Sequence, residues 1–214
     1  MMAAGRRAAG QAGGTPWWVA LALAAVLVPA SPPARLPAQD TVPTGYGSLR
    51  RDDIVVRFQT DQVELQFLPL SEHVIRLLAP DTYKSLEQLL RSRRAGVDSA
   101  AQRAGVANPT LVMVTFFGLL PGARFTPEDV NVTSRGRLFR PVGIVPLSPT
   151  WSSQQLGVRE QAVAIYLFEE GIGFRDALTV TYQSQANDSW SRAVSALDRE
   201  RARVLARATS KPGP

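Results

Sequence analysis

Leu111-Val112-Met113-Val114-Thr115-Phe116-Phe117 is apolar at nearly every position, and so on both faces that a pleated strand alternates. A strand of that composition is stable only when covered from both sides, which makes it a central strand. Ala162 to Phe168 (AVAIYLF) repeats the pattern. Two such runs in one chain, with no helix alternating strand by strand, set the search for the rest of a sheet.

Upstream, Ile54, Val56 and Phe58 alternate with polar residues, as do Val63, Leu65 and Phe67. Folding about Thr60-Asp61 places Phe58 opposite Val63, Val56 opposite Leu65 and Ile54 opposite Phe67, a hairpin burying all six. Downstream, Val130 and Val132 alternate, and a turn at Ser134-Arg135-Gly136-Arg137 returns Phe139 opposite Val132. Pro141, Pro146 and Pro149 confine the next stretch to an edge or a loop. Leu178, Val180 and Tyr182 form the final strand. About seven strands with short turns predict a mainly β protein, an antiparallel sandwich spanning residues 54–184.

Two stretches take the helical period instead. Between 71 and 104, Tyr83, Leu86, Leu89 and Leu90 recur at spacings of three and four, with Ser71 or Asp81 as cap. Pro80 separates a first piece, Glu72 to Leu78, from the second helix. Val97 to Ala104 extend the insertion until Asn108-Pro109 stops it. At the other end, residues 185–209 read as an amphipathic helix: Trp190, Ala193, Val194, Leu197 and Val204 on one face, Arg192, Arg199, Arg203 and Arg207 on the other. Arg201 alone intrudes on the stripe. Trp190, Val194, Leu197 and Val204 are the expected docking residues, and residues 210–214 read as a disordered tail. The stripe is also a heptad seam, but at under three heptads it is too short for a coiled coil.

The start of the chain carries Arg6 and Arg7, then an uncharged run from Trp17 to Ala30, then a small and proline-rich exit. Those are the parts of a secretory signal peptide, with cleavage after Ala30 or Ala38. The run is shorter than the roughly 20 residues of a membrane span. Residues 1–38 are therefore expected to be removed, leaving no transmembrane segment, and 39–53 to form a linker. The destination is secreted or periplasmic. With 22 arginines to 2 lysines and abundant alanine, the composition suggests GC-rich coding and a bacterial source.

The formal charge of +6 dissects unevenly. The leader holds three arginines and no acid, Trp190 to Pro214 holds six bases against two acids, and the rest is close to neutral. A neutral body without a groove or interleaved aromatic and basic residues excludes nucleic acid as a partner. The Arg192, Arg199, Arg203 and Arg207 face is the candidate contact with an anionic surface, through peripheral membrane-surface contact or a partner.

The absence of cysteine excludes disulfides, thiolate metal sites and thiol nucleophiles, and a single histidine excludes any site needing two. His73 lies beside Ser71 and Glu72, yet neighbours in sequence do not converge by adjacency, and there is no G-x-S-x-G or S-x-x-K. It reads as a surface or capping-turn residue. Acidic pairs occur at Asp52-Asp53, Glu128-Asp129 and Glu169-Glu170, the last followed by Gly171, Gly173 and Asp176. A calcium site or a glycosidase pair needs such acids to converge, and the spacing supports neither. No catalytic residue, metal or cofactor is assigned.

Several packing and turn segments recur in a familiar order: Val114-Thr115-Phe116, Phe125-Thr126-Pro127-Glu128-Asp129-Val130-Asn131-Val132, the Gly136 turn into Leu138-Phe139-Arg140-Pro141, Ile165-Tyr166-Leu167-Phe168 and Leu178-Thr179-Val180-Thr181-Tyr182. On these the stretch from Val114 to Tyr182, about a third of the chain, resembles the immunoglobulin-like sandwich domains of bacterial secreted proteins and lipoproteins. The resemblance implies a non-catalytic envelope module. The chain departs from it in lacking a lipobox cysteine and in carrying the helical insertion and the basic C-terminal helix. The expected function is binding of a protein or envelope component. The alternatives are a carbohydrate-active hydrolase using Glu169, Glu170 and Asp176, and electrostatic attachment through the C-terminal helix.

Overall fold

The structure, a computed structural model, describes residues 42–210. The expected signal peptide and residues 211–214 of the expected tail lie outside the described residues. The chain runs through β1 (Val56–Gln59), β2 (Val63–Pro69), a single turn α1 (Glu72–Ile75) and the long α2 (Pro80–Ala104). Next come β3 (Thr110–Gly118), β4 (Ala123–Arg124), β5 (Val130–Ser134), β6 (Arg137–Phe139) and β7 (Pro141–Pro146). It ends with β8 (Gln155–Leu156), β9 (Gln161–Phe168), β10 (Leu178–Tyr182), β11 (Gln185–Asn187) and α3 (Trp190–Ser210). The strands form three antiparallel sheets ordered β1-β2-β3-β9-β7, β11-β10-β5-β6 and β4-β8.

The two-sided runs take the places their composition demands. β3 is the middle of the five-stranded sheet, with Val114 between Phe67 and Ala164. β7, bounded by Pro141 and Pro146, is an edge strand, where a missing N–H breaks no ladder. α2 packs against β7 and β9, so the second face of the central strands is covered by helix on that side. On the other, Phe116 stacks on Phe125 at 4.5 Å between ring centroids and meets Tyr182 of β10 at 5.5 Å. Trp151 joins the same cluster against Phe116, Phe125 and Tyr166.

The β5–β6 hairpin has the expected register, Val132 opposite Phe139, and turns on Arg135 and Gly136, both at positive φ. The β1–β2 hairpin differs. Val56 lies opposite Phe67 and Phe58 opposite Leu65, so the turn centres on Asp61-Gln62, one residue later than expected. Thr60 causes the shift: its hydroxyl accepts from the Val63 amide and its own amide donates to the Val63 carbonyl. Because side chains alternate with period two, the slip leaves the same residues inside.

α2 is one unbroken helix to Ala104, stopped by Gly105 in the left-handed conformation before Asn108-Pro109 is reached. Asp81 lies inside its first turn, Ala79 is the cap position with Pro80 first in the helix, and Ser71 makes no side-chain capping bond to α1. Residues 185–187, expected to begin the last helix, instead pair with β10 as β11. That adds a strand beyond the one expected to be last.

The largest correction concerns 39–53. Over its described part this stretch is packed rather than a free linker: Val42 is buried, and Leu49 bridges to Leu78 in parallel. The Leu49 amide donates to the Leu77 carbonyl, and the Ala79 amide to the Leu49 carbonyl. A Cβ on Gly47 would fall 2.4 Å from the Leu77 carbonyl, so glycine is what permits the approach.

Candidate functional site

The expected docking stripe of α3 faces inward. Trp190, Leu197 and Val204 are buried, Val194 is half-buried, and the Trp190 ring meets Phe174 edge-on at 5.8 Å. Two charged residues share this stripe, where one was expected. Arg201 is mostly buried and bonded to Asp198 at 2.8 Å. Glu200, three residues after Leu197 and four before Val204, is buried to 1 % exposure.

Glu200 gathers the ends of the described chain. Its Oε1 accepts from the Ser48 amide at 3.0 Å, the Ser48 hydroxyl at 2.8 Å and Arg207 Nη2 at 2.9 Å. Arg207 Nη1 also donates to the Tyr46 carbonyl, and Arg203 stands 3.6 Å from Oε2. Burying an ionised carboxylate is costly unless it is paired and hydrogen-bonded; three donors satisfy Oε1, while Oε2 is buried without a hydrogen bond and faces the Arg203 charge at 3.6 Å. The four arginines of the expected basic face are thus not equivalent. Arg207 is 43 % exposed and engaged twice, Arg203 is 67 % exposed, Arg199 bonds back to the Ser195 carbonyl, and Arg192 is exposed.

Two of the three loop carboxylates are paired with arginines, and Glu170 lines a hollow that also holds Arg135. Glu169 pairs with Arg137, and Asp176 pairs with Arg135 through Nε at 2.6 Å and Nη2 at 2.5 Å. Asp52 is held by Arg57 at 2.5 Å. Glu128 and Asp129 border a separate hollow with Arg140. Among the described residues no group of three or more histidines and acids is placed to hold a metal ion. No described helix is long and apolar enough to cross a membrane.

What the fold does assemble is a basic cleft. One hollow, of about 220 Å³, lies where α1, the β5–β6 turn, the β9–β10 loop and α3 meet. Val74, Ile172 and Phe174 supply apolar wall, while Arg135, Arg175 and Arg201 supply guanidinium groups. Ser71 and His73 complete the rim. A second hollow, of about 550 Å³, shares Ser71, His73, Arg135 and the loop 172–174, and is lined also by Glu170.

Local chemistry explains the loop. Gly171 takes φ +121°, and Gly173 is crowded: a Cβ there would lie 2.5 Å from Asp176 Oδ2 and 3.0 Å from Arg135 Nη2. The Gly173 amide donates to the buried Ser134 hydroxyl, tying the loop to β5. His73, read as a surface residue, is exposed on this rim. The sequence marks the loop by its acids and gives no sign that Arg135, Arg175 and Arg201, from three separate elements, line one hollow.

Comparison with protein families, with curated proteins and with solved structures finds no match to this chain.

Proposed function

We propose that this chain is a secreted or periplasmic, non-catalytic binding module built as an immunoglobulin-like β-sandwich, which holds a protein or a cell-envelope component. The observation that carries the reading is the neutralisation of the loop acids. Glu169 and Asp176, two of the three carboxylates the hydrolase alternative would use, are each committed to an arginine. A glycosidase needs two carboxyls facing each other across the substrate, and these two each face an arginine instead. The sandwich arrangement is supported by the ring contacts joining β3 to β10. The leader sequence supports export. Attachment to an anionic surface through α3 would draw on Arg192, Arg199 and Arg203, since Arg207 is turned to Tyr46 and Glu200.

The test is turnover. The secreted chain is expected to leave a panel of glycan, ester and peptide substrates at the buffer rate. Turnover that Glu169→Gln abolishes would overturn the proposal.

A further inference from the structure

Turns that close against water are normally polar, and one end of this molecule breaks that rule. Among the described residues the large apolar side chains left exposed are Leu120, Leu138, Val158 and Leu205. Leu138 and Leu205 lie on separate elements, β6 and α3. Leu120 and Val158, 52 % and 55 % exposed, belong to two turns that lie side by side. The β4–β8 pairing sets Ala123 opposite Leu156, so the turn entering β4 meets the turn leaving β8. Backbone bonds tie them further: the Arg159 amide donates to the Gly118 carbonyl at 2.8 Å, and the Gly118 amide to the Glu160 carbonyl at 2.9 Å.

Both turns hold fixed shapes. In Leu120-Pro121-Gly122-Ala123 the Ala123 amide donates to the Leu120 carbonyl, proline presets the second position, and Gly122 takes φ +72° at the third. In Gly157-Val158-Arg159-Glu160 the Glu160 amide donates to the Gly157 carbonyl. The third position there is Arg159 at φ +62°, where glycine is the usual choice. Glu160 Oε2 accepts from the Gly157 amide at 2.7 Å, which locks this turn and folds the neighbouring carboxylate back onto the backbone. Within residues 119–122 and 157–159, Arg159 is the one charged side chain; it is exposed, and among the described residues it has no ion-pair partner. Asp61 and Arg124, which line a hollow at the β1–β2 turn, offset each other in charge.

Resting on the reading of the chain as a module that binds the cell envelope, we propose that these paired tips enter the surface of an anionic lipid membrane. Leu120, Pro121 and Val158 insert, and Arg159 meets a lipid phosphate. A lipid interface receives convex apolar tips without a matching pocket, and a guanidinium beside them stays at headgroup level. Turns already fixed in shape lose little freedom on binding. This surface is separate from the arginine face of α3.

The test is co-sedimentation of the secreted chain with vesicles of phosphatidylcholine, alone or mixed equally with phosphatidylglycerol. Half of the chain is expected to pellet at about 1 mM mixed lipid or less, and the neutral vesicles should need at least about threefold more. Leu120→Ser and Val158→Ser should each weaken binding at least about threefold, and both positions are exposed, so the core is untouched. Arg159→Asn removes the charge, tolerates the positive φ, and should reduce the preference for the anionic vesicles. Arg192→Gln on α3 should weaken binding less than either serine variant does. The proposal fails if nothing pellets at about 10 mM mixed lipid, if both serine variants bind as the parent does, or if Arg159→Asn leaves the preference intact. Pelleting lost in Arg192→Gln but kept in the serine variants would assign the membrane to α3 instead. A dimer that Leu120→Ser dissociates, without vesicle binding, would make the tips a contact between two copies and overturn the proposal. These failures remove the tips alone, whereas turnover of a substrate would remove the binding-module reading on which they rest.

Discussion

The middle of the described chain and its two ends, residues 42–54 and α3, are held by different forces. β2, β3 and β9 lie side by side with Phe67, Val114, Phe116, Ile165 and Tyr166 fully buried, and their cohesion comes from apolar area removed from water. The packed segment 42–54 and α3 meet instead through Glu200, Ser48, Arg207 and the Tyr46 carbonyl, a polar clasp joining residues 152 apart in sequence. The sheet would survive many shape-conserving exchanges. The clasp depends on one carboxylate, since three of its four hydrogen bonds end on Glu200 Oε1 and the fourth joins Arg207 to the Tyr46 carbonyl.

Phe116→Ala tests the first half with the largest expected effect. The ring touches Phe125, Trp151 and Tyr182, so its loss removes burial and leaves a cavity between sheets. A loss of about 3–5 kcal/mol is expected by denaturant unfolding. A loss near 1 kcal/mol would show that the cluster collapses around the gap and that the sheets are not rigidly held.

The same contrast explains what could be read in advance. β3 and β9 were legible because a two-sided apolar run has one stable home, and the β5–β6 turn because Gly136 suits a positive φ. The β1–β2 register was missed by a single turn position decided by the Thr60 hydroxyl, a local hydrogen bond that hydrophobic alternation does not encode. The packing of 42–53 was hidden because its partners, Leu77, Leu78 and Glu200, lie far along the chain. Spacing did offer one clue. Glu200 stands seven residues after Ala193 and four before Val204, on the apolar stripe, and an acid there needs a partner. The cleft was least legible, since its arginines lie far apart in sequence until three separate elements bring them together.

Glu200→Gln addresses the clasp. It keeps shape and removes the charge that Ser48 and Arg207 address, and a loss of about 2 kcal/mol is expected. Native-state amide exchange gives the sharper readout. Ser48 and Leu49 should lose protection while Val114 keeps the global value less the measured loss, because the segment opens without the sheet. Equal loss at both places would mean that the clasp and the sheet unfold as one unit.

Polar groups inside the core behave differently, and alkaline pH exposes this. The Tyr166 hydroxyl donates to the Pro127 carbonyl at 2.9 Å, and Tyr182 accepts from the Thr126 amide at 3.2 Å. Burial pushes both phenols above the ordinary tyrosine value. A phenol whose folded pKa is raised gives stability that is fully present below the unfolded value, about 10, and lost as pH rises beyond it. Stability should therefore fall above about pH 10 by roughly 1.4 kcal/mol per pH unit for each such tyrosine. Replacing both by phenylalanine should flatten that slope, while Glu200→Gln should leave it unchanged.

The smallest effects separate the arginines of α3 from one another. Arg207 reaches Glu200 at 2.9 Å and the Tyr46 carbonyl as well, whereas Arg203 stands at 3.6 Å and is two-thirds exposed. Distance and solvent both weaken the second pair, since exposed ion pairs contribute about 0–1 kcal/mol and those at the low end are lost in salt. Arg207→Gln should cost about 1 kcal/mol and Arg203→Gln a few tenths. A double-mutant cycle with Glu200→Gln isolates the part that belongs to each pair, because each single change also alters helix propensity and solvation. The coupling should be large for Arg207 and close to zero for Arg203, and only the Arg203 value should vanish at about 1 M salt, where screening acts within about 3 Å. Equal couplings would mean that the carboxylate is shared by a diffuse basic face. The ends of the chain would then be held together by the general attraction of a charged helix, and the clasp would lose its claim to be a specific joint.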